Sequence, residues 1–145
     1  MSRHHASTLL RDTVAGVHFV ESRALQAILA PAAGLGLQVG RVDLTGCEGR
    51  RDVLSRIAAA LDFPPHFGHN WDALADCLGD LSWLPGDGVV LVLDGADALR
   101  EADGEAFPTL LEILGTVASD AAARNRRWHA VIALDHRAEP SGARP

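Results

Sequence analysis

Three aspartates, Asp72, Asp76 and Asp80, recur every four residues, with His69 just ahead of them. At about 100° per residue this spacing puts the three carboxylates on one face of a helix and Trp71, Leu74, Leu78 and Leu81 on the opposite face. Such a row can hold a cation, meet a positively charged partner, or simply face water. Water is helped by Asn70, a natural N-cap, and by Asp72 in the first turn, where the helix dipole favours an anion. Against it, like charges at i,i+4 repel by some tenths of a kcal/mol per pair. No Lys or Arg on this helix relieves them. A surface that accepts such repulsion suits a basic partner. Metal binding would need His66, His69 and Asp72 to converge, although His66 lies in a loop and the other two start a helix.

The rest of the chain narrows the chemistry. The sequence contains no lysine, which excludes Schiff-base catalysis and the lysine of a phosphate-binding loop. Val89 to Asp94, followed by Gly95 and Asp97, has the form of an apolar strand ending in acids that could hold magnesium, but no GxxxxGK[ST] accompanies it. An acid-rich, metal-assisted hydrolase built on Asp94 and Asp97 is the third reading. Gly34, Gly36 and Gly40 miss the dinucleotide-binding spacing and precede a strand rather than follow one. Cys47 and Cys77 form no CxxC and read as free thiols. A net charge of -6 and a pI near 5.5 argue against binding nucleic acid. From Asp72 to Glu105 there are nine acids against the single base Arg100, a net of -8, while the remainder is close to neutral.

The elements that must position these residues follow from periodicity. A length of 145 residues, 48% of them hydrophobic, suits one domain over 14–134 between polar tails at 1–13 and 135–145. Strands are predicted over 14–20, 38–44, 89–93 and 130–134. Helices are predicted over 23–30, 52–61, 70–83 and 105–123. Their alternation implies an α/β fold with a small, mostly parallel sheet of three or four strands flanked by helices. The continuous apolar run Val89 to Leu93 implies a strand covered on both faces. No stretch reaches the roughly 18 apolar residues of a membrane span and the N-terminus lacks the form of an export signal, so a cytoplasmic protein is expected.

The segment Phe63-Pro64-Pro65-His66-Phe67-Gly68-His69-Asn70-Trp71-Asp72-Ala73-Leu74-Ala75-Asp76-Cys77-Leu78 resembles the signature loop and helix of the barstar family. Pro65, Gly68, Asn70, Asp72, Ala73, Leu74, Asp76, Cys77 and Leu78 stand where that family has the same residue types, and a weaker likeness runs from Val42 to Leu134. The resemblance implies a barstar-like fold and a non-catalytic inhibitor of a ribonuclease. Asp76 would mimic a substrate phosphate with Asp72 beside it, and His66, Phe67 and Gly68 would close on the mouth of the nuclease active site. His69, Ala75 and Asp80 complete the expected partner-binding set. The chain departs from barstar at the residues that would choose the target. His66 and Phe67 replace two loop tyrosines, Ala75 a helix tryptophan, Asp80-Leu81 a Gly-Trp pair, and Thr116 aligns with a glutamate of the last helix. Residues 14–37 precede anything in barstar and are expected to add a strand and a helix.

The reading is therefore an immunity protein against a basic ribonuclease toxin. It needs no cofactor or metal and has no nucleic-acid or membrane partner, and a monomer is the expected state. The alternative is an acidic interaction module of the same fold that binds another basic protein or a different class of toxin.

Overall fold

The computed structural model describes residues 9–81, 84 and 86–134. Residues 1–8 of the tail expected over 1–13, the tail expected over 135–145, and the last two residues of the helix predicted over 70–83 lie outside the described residues. Four strands form one sheet: β1 (Ala15–Glu21), β2 (Leu37–Asp43), β3 (Gly88–Asp94) and β4 (Arg127–Leu134). Their order is β1-β4-β3-β2, and every neighbouring pair is parallel. Val89 to Leu93 and Ala130 to Ala133 are buried at the centre of this sheet, as a continuous apolar run requires when both faces are covered.

Each face has its own core. Alternate side chains of the strands (Val42, Val89, Leu91, Leu93, Trp128, Ala130 and Ile132) meet α3 (Arg50–Ala60), α4 (Trp71–Asp80), α5 (Ala96–Ala102) and α6 (Ala106–Ala123) in the larger one. Gly40 of β2 leaves room for Leu61 at the end of α3, because a Cβ there would collide with the leucine side chain. The opposite set (Leu37, Val90, Val92, Val131 and Ala133) packs under α1 (Leu9–Asp12) and α2 (Leu25–Leu29), giving a thinner layer.

Within residues 14–37 the structure forms β1 and a helix. The helix is shorter than predicted, with a 3-10 turn over Ser22–Ala24 ahead of the α-helical Leu25–Leu29. Two α-helical elements among the described residues had no counterpart in the sequence pattern. Leu9–Asp12, inside the stretch read as a tail, forms a helical turn whose Leu10 is fully buried. Ala96–Ala102, beyond the acidic end of β3, is helical after Gly95, which takes a left-handed φ of 74°. No helix among the described residues is long and apolar enough to cross a membrane.

Candidate partner-binding site

Helix α4 starts where its sequence says it should. The Asn70 side chain accepts a hydrogen bond from the Ala73 N–H at 2.8 Å, satisfying one of the donors orphaned at the helix start. The helix stops at Asp80, earlier than predicted, because Leu81 turns left-handed (φ 46°) and buries its side chain. Leu74 and Leu78 point into the core, and Asp72, Asp76 and Asp80 are exposed on the other side. No cation comes within ion-pair distance of these three carboxylates among the described residues. The repulsion along the row is therefore uncompensated in the free protein.

The preceding loop is held by its aromatic residues. Phe67 was expected at the partner surface, yet it is only 7% exposed. Its ring meets Phe63 edge-on at 4.9 Å and His69 at 4.7 Å. Phe67 fastens the loop to the core and leaves His66, Gly68 and His69 exposed. His69 takes a positive φ of 55°, a conformation secured by a 3.0 Å hydrogen bond between its Nδ1 and the Phe67 carbonyl. Loop and helix start thus form one unit, with the expected contact residues outward except Phe67 and the half-buried Ala75.

Beside this unit the structure places acids that the sequence pattern did not single out. A groove of about 400 Å³ runs between α4 and α6, with Asp76 and Ala75 on one wall, Glu112, Thr116 and Asp120 on the other, and Arg124 and Arg126 where α6 ends. Glu112, Thr116 and Asp120 follow each other at i,i+4 on α6, the same spacing that marked α4, so the signal was present but hidden by the helix's strong apolar face. A larger depression of about 700 Å³ between the starts of α3 and α6 brings Arg50 and Arg51 near Asp103 and Glu105. Glu48 and Asp52 also line it, so its acids outnumber its two arginines.

The acidic stretch of net -8 is not one patch in space. Asp94 accepts from Arg41 Nη2 at 2.9 Å and from Ser22 Oγ at 3.5 Å, Asp97 lies 3.7 Å from Arg100, and Asp103 accepts from the N–H groups that open α6. Asp94 is thus neutralised by an arginine, which does not suit the hydrolase reading. His66, His69 and Asp72 do not converge, and no group of three metal-ligating side chains does so among the described residues. Both cysteines are free. Burial pushes the Cys47 and Cys77 thiols up, so neither is a reactive thiolate.

Fold and site together define a small parallel α/β protein whose distinctive surface is a capped acidic helix with a rigid loop before it. The chain belongs to the barstar family, matching the family model "Barstar (barnase inhibitor)" over residues 37–133. No curated protein matches it. Among solved structures it is similar to the Aeropyrum pernix ORC2 protein in its ADPNP-ADP complexes, at 19% identity and a TM-score of 0.57, covering 92% of this chain and 39% of that one. The ADP form of the same protein gives 18% identity and a TM-score of 0.58, covering 94% and 42%. Drosophila ORC bound to DNA gives 14% and 0.54, covering 85% and 33%. The chain thus spans about two fifths or less of these proteins, and at such identity the likeness concerns the fold alone. It nonetheless takes in residues before Leu37, since residues 37–145 are too few to make up 92% of the chain.

Proposed function

We propose that this protein inhibits a ribonuclease in the cytosol without catalysis, by laying α4 and the loop before it over the nuclease's basic active site. The observation that carries the reading is the row Asp72, Asp76 and Asp80, exposed and without a cation at ion-pair distance among the described residues, in the segment where the barstar resemblance is densest. A ribonuclease must attract phosphates, so its active site presents cations, and a fixed row of carboxylates meets the same charges. Asp76 is central, reaching the groove that Glu112 and Asp120 share, and Asp72 lies one turn away. His66, Gly68 and His69 close on the rim. Asp80 extends the row, and Ala75 leaves space where a larger side chain would fill the groove. The replacements at His66, Ala75 and Asp80 favour a nuclease other than barnase.

The test is inhibition itself. Purified protein is titrated into barnase and into a panel of basic bacterial ribonucleases, and RNA cleavage is followed. Stoichiometric inhibition of one of them, weakened by Asp76→Ala, is expected. If affinity purification from the native host instead captures a basic protein without nuclease activity, and no ribonuclease is inhibited, the interaction-module reading replaces this one.

A further inference from the structure

The strand that lies outside the family match is joined to the sheet by a pair of histidines. His18 on β1 and His129 on β4 face the thinner core, and His18 Nε2 lies 3.0 Å from His129 Nδ1. Their ring centroids are 5.2 Å apart. His129 is fully buried and its Nε2 has no hydrogen-bond partner among the described residues. His18 is only partly covered. An N–H···N bond between two imidazoles needs one nitrogen with a proton and one without. A first added proton can reside on the more exposed His18 while its Nε2–H continues to donate to His129. A second proton sets N–H against N–H and places two positive rings side by side in an apolar layer.

We propose that the His18–His129 pair makes the seam between β1 and β4 an acid-sensitive latch, which lets β1 open from the sheet at mildly acidic pH while β3 stays protected. The surroundings oppose protonation. Burial, the neighbouring His18 and the positive Arg127 on β4 push His129 down to about 4, with the Thr13 carbonyl alone favouring the charged ring. Burial also pushes His18 down. Arg127 cannot swing away freely, because its Nη1 donates to the Leu10 carbonyl at 2.6 Å. From α2, Leu25 and Ile28 reach this layer, and from β3, Val90 and Val92; the charged residues of α1, Arg11 and Asp12, are exposed, and Glu21 at the end of β1 pairs with Arg23 at 2.6 Å. β1 is the element best able to respond. It pairs on one side only, none of its residues is fully buried, and Phe19 is 54% exposed.

Amide hydrogen exchange on the intact protein at pH 7.5 and pH 5, corrected for the intrinsic pH effect, tests this. A ring that titrates near 6.5 when β1 is open and near 4 when closed lowers the protection of Ala15–Glu21 about thirtyfold at pH 5. Protection of Gly88–Asp94 should hold. Equal losses in both strands, or no loss in β1, would overturn the proposal. NMR titration of the wild-type imidazoles is the second measurement, and a His129 ring that titrates at the ordinary value with β1 still protected would also overturn it. His129→Gln keeps a side chain able to bond His18 but carries no titrating ring. It should keep most of the protection of β1 at pH 5, and persistence of the full loss in this variant tells against the latch.

Discussion

The two faces of the sheet handle charge in opposite ways. On the thicker face, α4 turns three carboxylates outward with no cation within ion-pair distance among the described residues, so the repulsion is shared with solvent and costs only tenths of a kcal/mol per pair. On the thinner face, two histidines are hidden in an apolar layer, where any charge is expensive. The first arrangement is tolerable in the free protein and becomes favourable when a basic partner arrives. The second is favourable only while it stays neutral. An exposed charge cluster therefore points to what a protein meets, and a buried titratable pair points to the conditions in which it holds together.

The largest expected effect separates binding from folding on the acidic face. Asp76→Ala should weaken the complex with a cognate ribonuclease by about 2–5 kcal/mol, because cations of the nuclease would be left buried and unpaired. Calorimetric or kinetic measurement of Kd, set beside urea unfolding of the free variant, checks this. Loss of stability with affinity intact would make Asp76 structural.

Core substitutions test whether the two layers differ in strength. Leu74→Ala on α4 removes a fully buried side chain from the larger core and should cost about 2–5 kcal/mol of stability. Ile28→Ala on α2 should cost nearer 2 kcal/mol, since the thin layer can collapse around the missing atoms. Thermal denaturation of both variants gives the ranking. Equal costs would mean that the small layer is as tightly set as the large one.

What the sequence made legible follows from the same contrast. Long apolar runs and strong periodicity located all four strands and the helices at 50–60, 71–80 and 106–123, and the Asn70 cap fixed the start of α4. α1 and α5 were not legible, because four and seven residues are too few to display a helical period. The second acidic wall at Glu112 and Asp120 became apparent only when α6 lay against α4. Phe67 shares its residue type with many contact aromatics, and only packing shows that it turns inward. His18 and His129 are 111 positions apart, and no local spacing could have paired them.

Acid should therefore act on the thinner face first. His129 is held neutral in the folded protein, so its contribution is fully present above 6.5, its ordinary value, and is lost as pH falls toward about 4. By pH 5 this amounts to roughly 2 kcal/mol. Urea unfolding at pH 7.5, 6 and 5 should show the midpoint falling across this window in the wild type and falling less in His129→Gln. A wild-type midpoint that is flat from pH 7.5 to pH 5 would show that the buried pair is not where acid acts.

The smallest expected effect returns to the acidic row at its far end. Asp80 is the last residue of α4, where the negative end of the helix dipole disfavours an anion, and it lies four residues from Asp76. Both effects oppose the carboxylate in the free protein. Asp80→Ala should raise stability by some tenths of a kcal/mol in low salt, and the gain should shrink as salt screens the two repulsions. In the complex the same change removes one charge from the surface that steers the nuclease in, so the association rate should fall modestly and lose part of its salt dependence while the dissociation rate changes little. The sign of the stability change decides the argument. If Asp80→Ala destabilises the free protein at low salt, the row is not in mutual repulsion, and the case that α4 is shaped for a basic partner loses its physical support.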